Sequence, residues 1–516
     1  MKPVSLIDSL WYVCAFAIVA VCGALNLYLP YSPDQAIAML AAMSLDAGGT
    51  LYVDFWDNKM PGLFWFYRAA GELFGYTEFG SHCLEYLWML GFAVVVTLGL
   101  RRYYDHRWLA SVPAVAFVGA YFATADPFQL TQLETLIGLP VFTGAYFAVA
   151  ARTHRPSRVV VFGFLSGLCA GVTVCFKLVY APVFVVFWCI TTGLIIHDRP
   201  RSKTRMLLCL WIPVSLAVGL VISTVVAKFY FDGALAELLW TAFEYPPAAL
   251  EFAPPAPFYR IVRSAGYFIA CFATWSVFIA IGVAHWWQAD RANPFTLCMI
   301  GWTIVAVGLI FIQKFSWWSY HFYLLFPPAG ILAVRGVDVC AGFLYRNLTM
   351  LNLRPMSITL LLVIPCVGAL LLPASQKMDH YVHIFLRHDG DLETFHAAIN
   401  PTYERIRKST KFLREKGARR GPIYVFGDPL YYYLSGRRPA AAVIGFPWDY
   451  FLDSQLRKLP EQLSQSRPAY IYIESSNARD MNRRQQGVPQ FIGRHYTEIS
   501  SDATGGWYAA KATSWQ

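Results

Sequence analysis

Long uninterrupted blocks of apolar residues restrict the fold of this chain more than any other feature of its sequence. Most of the blocks span about 17 to 24 residues, close to the roughly 20 that a helix needs to cross the hydrocarbon of a bilayer. Backbone polar groups must be paired inside lipid, and uninterrupted apolarity excludes the alternating pattern of a membrane barrel. Only 14% of the residues are charged, against about 25% in soluble chains. The sequence therefore predicts a polytopic α-helical membrane protein.

The apolar blocks predict about eleven transmembrane helices. They lie at 6–29, 83–100, 109–125, 135–151, 159–175, 178–196, 206–227, 264–284, 296–313, 320–334 and 357–373. The first block is too long for a secretory signal peptide and lacks a small-residue cleavage site, so we interpret it as a retained anchor. Together the helices form a predicted membrane domain over residues 1–376.

Basic residues are unevenly distributed between the two sets of turns that join these helices. One set holds fifteen lysines and arginines and the other holds seven. Because cytoplasmic turns carry the excess, the amino terminus is predicted inside the cell membrane and the carboxyl-terminal region outside it. The same turns explain the net charge of +10, so we exclude nucleic acid as a partner. The eleven cysteines show no paired spacing and predict neither a zinc site nor a disulfide framework.

Two predicted outer loops, 30–82 and 228–263, are too long to be simple turns, and we expect them to carry the function. In the first, Ser32-Pro33-Asp34 has the cap, proline and acid typical of a helix start. The apolar residues that follow predict a helix along the membrane surface. In the second, the segments 244–247 and 254–257 are rich in proline and predict that no regular helix forms there.

Residues 377–516 have the composition of an ordinary soluble domain. Strand-like runs lie at 423–426, 469–474 and 507–510, with a helical stretch at roughly 449–466. This pattern predicts a small extracytoplasmic α/β domain, within the usual range of domain sizes.

Most carboxylates outside the apolar blocks fall on the predicted outer side. They are Asp34, Asp46, Asp54, Asp57, Asp126, Glu134, Asp232, Glu237, Glu244 and Glu251. Charges near membrane depth are costly and therefore informative. An acidic outer cleft with a few cations suits the activation of a hydroxyl group beside a phosphate ester.

Several of these residues occur in motifs that resemble a known family, the GT-C glycosyltransferases, in the branch of the protein O-mannosyltransferases and aminoarabinose transferases. The segments 29–35 and 52–62 are similar to the first outer loop of that family, and Gln132-Leu133-Glu134 is similar to its second-loop acidic motif. Phe176-Lys177, the segment 320–328, and 424–427 with 433–439 resemble later motifs. Two departures, Gln35 in place of a glutamate and Met60 in place of a proline, weaken an assignment to protein mannosylation.

The resemblance implies a GT-C fold and a role for each matched residue. Asp34, just after the first span, corresponds to the family's proposed base. We expect contacts to the donor phosphate from Lys59, Lys177, Arg260 and His321, and contacts to substrate from Asp57, Asp126, Glu134 and Tyr320. Plainer interpretations stay open: Asp34 could complement a helix dipole, and Lys177 could extend to the membrane interface. No metal is assigned, although a divalent ion is compatible with the reaction.

The predicted activity is inverting transfer of a sugar from a polyprenyl-phosphate donor to a hydroxyl group of a glycan, lipid or protein on the outer face of the membrane. One alternative is a polysaccharide polymerase or ligase that uses pyrophosphate-linked donors. Another is a flippase or transporter of lipid-linked sugars, a class whose polar sites usually lie at the bilayer midplane. The gathering of polar residues in outer loops favours the transferase.

Overall fold

The computed structural model describes residues 6–152, 155–198, 203–252, 255–289, 293–313, 317–347, 354–387, 390–446, 451–484 and 487–511. Six residues that the sequence predictions use lie outside these ranges. Four belong to the fifteen basic residues of the predicted cytoplasmic turns, namely Lys2, Arg199, Arg201 and Arg291. The others are Lys314, from the seven basic residues of the opposite turns, and Pro254. The chain forms two compact units. A helical unit comprises Met1–Tyr28, His82–Val225 and Pro255–His383, and a mixed unit comprises Leu29–Ser81, Val226–Pro254 and Ile384–Gln516. The predicted division at residue 376 stays a prediction.

Helices make up most of the described chain. In chain order the α-helices are α1 Leu6–Ala24, α2 Pro33–Asp46, α3 Pro61–Phe74, α4 Glu78–Leu100, α5 Ala120–Thr124, α6 Leu133–Leu136, α7 Gly138–Ala150, α8 Pro156–Phe176, α9 Ala181–Asp198, α10 Lys203–Phe231, α11 Leu235–Leu239, α12 Tyr245–Phe252, α13 Phe258–Phe272, α14 Ser276–Ala289, α15 Pro294–Ile312, α16 Phe326–Asn347, α17 Pro355–Arg387, α18 Leu392–Ile399, α19 Pro401–Thr410, α20 Leu430–Ser435, α21 Asp453–Ser466, α22 Ser475–Arg484 and α23 Val488–His495. Shorter 3₁₀ or π turns lie at Arg107–Ser111, Ala114–Gly119, Leu178–Tyr180, Trp240–Glu244, Ala273–Trp275, Ser319–Leu325 and Lys411–Arg414.

Within the described ranges, nine helical segments are long and apolar enough to cross a membrane. They are Glu78–Leu100, Leu133–Ala150, Pro156–Phe176, Leu178–Asp198, Thr204–Phe231, Phe258–Gln288, Pro294–Ile312, Ser319–Asn347 and Pro355–Arg387. A shorter apolar helix at Asp8–Ala24 matches the first predicted span. The polytopic helical fold is confirmed, and the predicted number of spans is approximate.

The predicted span at 109–125 is not a regular helix. It consists of the 3₁₀ turn Arg107–Ser111, the π turn Ala114–Gly119 and the short helix α5. Pro113 stands at the junction, and its missing N–H interrupts the ladder of helical hydrogen bonds. The segment is buried almost throughout, which explains why its composition resembles that of a membrane span.

Glycine allows two helices of the helical unit to approach closely. A Cβ atom on Gly336 of α16 would collide with the backbone of Phe278 in α14, and one on Gly282 of α14 would collide with the backbone of Leu332 in α16. Small residues at such crossings bring helix backbones together in lipid, where packing supplies the attraction between helices. The pair α14 and α16 therefore depends on both glycines.

The mixed unit contains a four-stranded sheet with the order β1-β2-β4-β3, formed by β1 Ile423–Phe426, β2 Tyr470–Glu474, β3 Tyr496–Ser501 and β4 Gly505–Ala510. Strands β1 and β2 are parallel, and β4 pairs antiparallel with β2 and β3. Three of these strands and α21 confirm the sequence predictions. The fourth, β3, was missed because it is largely exposed and polar and has no apolar alternation.

The two long loops of the sequence differ in how well they were predicted. The helix start at Ser32-Pro33 is confirmed by α2, whose residues Gln35–Ala42 are buried; its position along a membrane surface stays a prediction. The prediction that residues 244–247 exclude a helix is wrong, because α12 covers Tyr245–Phe252. Pro246 and Pro247 lie inside a continuous helical run, directly after the π turn Trp240–Glu244, and a local π turn is an adjustment that accommodates the missing N–H of proline.

Candidate functional site

One group of predicted site residues meets in the mixed unit, where Lys59 lies between two carboxylates. Its Nζ atom is 3.2 Å from Asp57 Oδ1, 3.4 Å from Asp57 Oδ2 and 3.5 Å from Asp34 Oδ1. The side chains of Asp34 and Lys59 are 23% and 19% exposed, and that of Asp57 is 9% exposed. We call these three residues the Lys59 cluster. Asp34 is the member with the longest contact to the ammonium group.

Local structure fixes each member of the Lys59 cluster. Asp34 is the second residue of α2, and the N–H of Ser32 donates to Gln35 Oε1 at 2.9 Å. Gln35, one of the two departures from the family pattern, therefore caps the helix that carries Asp34. Asp57 Oδ1 also accepts a hydrogen bond from the N–H of Lys59 at 3.0 Å, which closes a turn just before α3.

Tyr52 adds a support that the sequence did not indicate. Its hydroxyl donates to the carbonyl oxygen of Lys59 at 2.7 Å, and its ring stacks on Phe229 with centroids 5.6 Å apart. The backbone of Tyr52 has φ of +70°, a left-handed conformation that is strained for a residue with a side chain. Such strain persists where the surroundings enforce it, often beside a functional group.

The charge of Lys59 is stabilised by its neighbours. Burial opposes the charged form, but the attraction of Asp57 and then of Asp34 outweighs burial and raises the pKa of Lys59 above its ordinary value. Lys59 is therefore a fixed cation at physiological pH. It can attract an anion, but it is poorly suited to give up a proton.

A second group meets in the helical unit around Glu134, which is 2% exposed. Glu134 Oε1 accepts a hydrogen bond from Lys177 Nζ at 2.7 Å and from the hydroxyl of Tyr180 at 3.4 Å. His321 Nε2 lies 3.8 Å from the same oxygen. We call these four residues the Glu134 cluster. It joins three residues that the motifs predicted and one, Tyr180, that they did not.

Breaks in the helices place the members of the Glu134 cluster. Glu134 is in the first turn of α6, and Lys177 has an extended backbone between the end of α8 and the 3₁₀ turn at Leu178–Tyr180. That turn brings Tyr180 next to Lys177, with the ammonium group 5.4 Å from the centroid of its ring. His321 lies in the 3₁₀ turn Ser319–Leu325 and is 4% exposed. The only sequence signal for Tyr180 was its place three residues after Lys177, where one predicted span is followed by the next.

The other predicted site residues belong to neither cluster. Arg260 of α13 places its guanidinium group 4.3 Å from the centroid of the Trp318 ring. Tyr320 packs its ring 5.5 Å from that of Phe128. Asp126 Oδ1 accepts a hydrogen bond from the N–H of Phe128 at 2.9 Å, and burial raises the pKa of Asp126. The Asp126 carboxylate thus holds a local turn, while its role towards substrate stays a prediction.

Neither cluster has the composition of a metal site. Among the described residues, no group of three or more His, Cys, Asp and Glu side chains is arranged to hold a metal ion. Each cluster instead contains a lysine held by carboxylate oxygens, from two aspartates around Lys59 and from the single glutamate beside Lys177.

The fold is similar to that of two solved structures. They are crystal structures of ArnT from Cupriavidus metallidurans, one bound to undecaprenyl phosphate and one in the apo state. The TM-scores are 0.58 and 0.60, each at 14% sequence identity and with 98% of both chains covered. No family model matches the chain, and no curated protein matches its sequence.

Proposed function

We propose that this chain, which has the GT-C fold of ArnT, is an inverting glycosyltransferase that uses a polyprenyl-phosphate sugar. It would transfer the sugar to a hydroxyl group of a glycan, lipid or protein on the outer face of the membrane. The observation that carries this proposal is the Lys59 cluster, in which the carboxylate of Asp34, at the start of α2, lies 3.5 Å from the ammonium group of Lys59. The undecaprenyl phosphate in one ArnT structure supports a lipid phosphate as the donor class.

The chemistry needs a base for the acceptor and a cation for the leaving group. Asp34 accepts the proton of the acceptor hydroxyl as its oxygen attacks the anomeric carbon. The bond between that carbon and the phosphate oxygen breaks, the electron pair remains on the phosphate, and the configuration inverts. Asp34 is left protonated, and Lys59 stabilises the new negative charge by Coulomb attraction, which is stronger in a partly buried site than in water.

The two carboxylates of the Lys59 cluster suit different tasks. Asp57 makes the shorter contacts to the ammonium group and also accepts the N–H of Lys59, so it orients the lysine. Asp34 makes the longer contact and is more exposed, which leaves it better placed to receive a proton from an acceptor. We therefore assign the base to Asp34 and the orienting role to Asp57.

Residues of the helical unit are proposed as further donor contacts. Lys177 is 22% exposed although its partner Glu134 is buried, so part of its charge stays available to an anion. Glu134 holds Lys177 in place, and His321 lies beside the pair. Arg260, Asp126 and Tyr320 complete the proposed contacts to donor and substrate, as the sequence resemblance implies.

The experiment compares Asp34→Asn with the control Asp54→Asn. Asp54 lies in the same predicted loop, is exposed, and accepts a hydrogen bond from the N–H of Thr50 at 2.7 Å. Each variant is expressed in a gene-deletion strain, whose glycans and lipids are analysed by mass spectrometry, and each purified protein is titrated with undecaprenyl phosphate. Asp34→Asn is expected to leave the missing glycan unrestored and the lipid-linked sugar accumulated, with undecaprenyl phosphate still bound. Asp54→Asn is expected to restore the glycan.

Two outcomes would contradict the proposal. Full restoration by Asp34→Asn would remove Asp34 from the role of base. Movement of a lipid-linked sugar across sealed vesicles by the wild type, without any transfer to an acceptor, would show a transporter instead of a transferase.

A further inference from the structure

Thr131 has a strained backbone in the loop that leads to Glu134. Its φ of +55° places it in the left-handed region, which is a genuine outlier for a β-branched residue. Among the described residues other than glycine, only Tyr52 and Arg467 share a positive φ. A strained conformation persists only where neighbouring groups enforce it. Some group must therefore hold Thr131.

Glu85 of α4 is that group. The N–H of Thr131 donates to Glu85 Oε1 at 2.7 Å, and the Thr131 hydroxyl donates to Glu85 Oε2 at 2.9 Å. The hydroxyl of Tyr121 donates to Oε1 as well. Glu85 is 1% exposed and lies within a candidate membrane span. Both carboxylate oxygens of Glu85 thus accept hydrogen bonds from Thr131, and these bonds fix the backbone conformation of Thr131.

Thr131 is two residues before the helix turn that carries the Glu134 carboxylate. The carbonyl of Gln132, the N-cap residue of α6, accepts the N–H groups of Thr135 and Leu136 at 3.1 and 3.2 Å. Glu134 lies in the first turn of that short helix and reaches Lys177 at 2.7 Å. Because α6 continues through the helical residue Ile137 into α7, Leu133–Ala150 forms one candidate span, and the loop at Thr131 enters that span at the turn that carries Glu134.

The use of a carboxylate here calls for a reason beyond packing. An ionisable residue within a membrane span is costly and marks function more often than stability. Glu85 Oε1 accepts from the N–H of Thr131 and the hydroxyl of Tyr121, and Oε2 accepts from the hydroxyl of Thr131, so an amide in its place would offer one acceptor oxygen instead of two. The sequence signal for Glu85 was a single carboxylate inside an apolar block.

We propose that Glu85 is a positioning residue, which holds Thr131 in the left-handed conformation and thereby sets Glu134 for its ion pair with Lys177. The meaning of that pair for donor binding rests on the proposed function, whereas its geometry does not. Glu85 itself makes no contact with substrate in this proposal.

The test replaces Thr131 with glycine, which separates the effect of the hydrogen bonds to Glu85 from the effect of the strained backbone at residue 131. Glycine adopts positive φ without a steric penalty, so Thr131→Gly removes the need for the carboxylate. In the double variant Glu85→Gln/Thr131→Gly, the N–H of residue 131 keeps the Tyr121 hydroxyl, 3.2 Å away in the wild type, as an acceptor. Thr131→Val keeps the strain but loses the hydroxyl donor, and serves as a milder second variant.

The matched control is Asp338→Asn. Asp338 is also a buried carboxylate of the helical unit, 3% exposed, and accepts the N–H of Asp105 at 3.0 Å. It controls for the general loss of a buried carboxylate that accepts a loop N–H. Glu134→Gln serves as the reference for loss of the ion pair between Glu134 and Lys177.

The first readout needs no ligand: the rate at which a water-soluble acetylating reagent modifies Lys177, measured by mass spectrometry. The rate is expected to rise about tenfold in Glu134→Gln and Glu85→Gln, as for loss of one bond to a charged group. A smaller rise is expected in Thr131→Val. The double variant should return to within about threefold of the wild type, and Asp338→Asn should not differ from it. The second readout, the affinity for undecaprenyl phosphate, should follow the same order.

The outcomes distinguish this inference from the proposed function. If Glu85→Gln leaves the acetylation rate unchanged, or if Thr131→Gly fails to reverse its effect, Glu85 does not position Glu134. If acetylation follows the expected order while the wild type does not bind undecaprenyl phosphate, the positioning role stands and the proposed function falls.

Discussion

Glu134 and Lys177 are 43 residues apart in the sequence, yet their side chains form an ion pair of 2.7 Å. The two ends of this pair have different surroundings, because the carboxylate is 2% exposed and the lysine side chain 22% exposed. A buried charge that loses its partner is costly, whereas a partly exposed one is hydrated by water. We therefore expect removal of the lysine and removal of the carboxylate to reduce the stability of the protein by different amounts.

Lys177→Met is expected to destabilise the protein more than Glu134→Gln does. The first variant leaves the buried Glu134 carboxylate without its lysine, at about 3 kcal/mol, and the second leaves a partly hydrated lysine without its carboxylate, at about 1 kcal/mol. The double variant should recover most of the stability but not the affinity for undecaprenyl phosphate. Thermal unfolding in detergent and titration with that lipid measure the two effects. Equal destabilisation by both single variants would contradict the asymmetry.

Tyr52→Phe tests the support of Lys59 in the mixed unit. The variant loses the hydroxyl that donates to the Lys59 carbonyl, at about 1 kcal/mol of stability. We expect the affinity for undecaprenyl phosphate to fall at least threefold, as Lys59 loses its orientation. Tyr12→Phe is the control, because the Tyr12 hydroxyl donates to the carbonyl of Arg107 at 3.0 Å and has no proposed role. Equal affinities of the two variants would show that Tyr52 only packs.

Tyr403 connects α19 to the segment that precedes α2. Its hydroxyl accepts the N–H of Tyr31 at 2.6 Å and donates to Glu78 Oε1 at 2.9 Å, and the Tyr433 hydroxyl donates to Glu78 Oε2 at 2.8 Å. Tyr403→Phe removes the acceptor of the buried Tyr31 N–H as well as a donor to Glu78, and should cost about 2 kcal/mol, against about 1 kcal/mol for Tyr433→Phe, which removes a part-buried contact to Glu78. Thermal unfolding ranks the two variants. The reverse order would show that the Tyr31 N–H finds another acceptor.

Asp428 makes stability depend on pH. Burial raises the pKa of its carboxyl group to about 7, well above the ordinary value for an aspartate. The folded protein then keeps the proton to higher pH than the unfolded chain does, so stability falls as the pH rises from about 4 to 7 and levels off above that. Asp428→Asn should remove this fall and raise stability at pH 8 by about 1 to 3 kcal/mol.

The measurement for Asp428 is thermal unfolding of the full chain at pH 5 and pH 8. Asp391→Asn is the control, because hydrogen bonds from Thr394 lower the pKa of Asp391, so its replacement should not stabilise the protein at pH 8. A stability difference between Asp428→Asn and wild type that is the same at both pH values would refute the linkage.

The orientation of the chain in the membrane is open to chemical labelling. Val53, which is 45% exposed in the predicted outer loop, and Arg102, which is exposed in a predicted cytoplasmic turn, are each replaced by cysteine in a cysteine-free chain. A membrane-impermeant maleimide should label position 53 in intact cells and position 102 only after permeabilisation. The opposite pattern would place Asp34 on the cytoplasmic side, where the proposed reaction could not occur.

The sequence by itself determined the features that depend on local composition. Lipid requires long apolar helices, so most spans could be located to within a few residues. The start of α2 at Pro33 and the strand Ile423–Phe426 were also predictable, because a helix cap and an apolar run act over a few neighbouring residues.

Only the tertiary structure decided which charged groups meet. The sequence motifs named Glu134, Lys177 and His321 one by one, but their contacts cross tens of residues and depend on how broken helices pack. No sequence pattern indicates that Tyr52 and Thr131 have left-handed backbones, because neither residue type favours that conformation. Strain of this kind is imposed by the surrounding fold, since the local chain would relax without it.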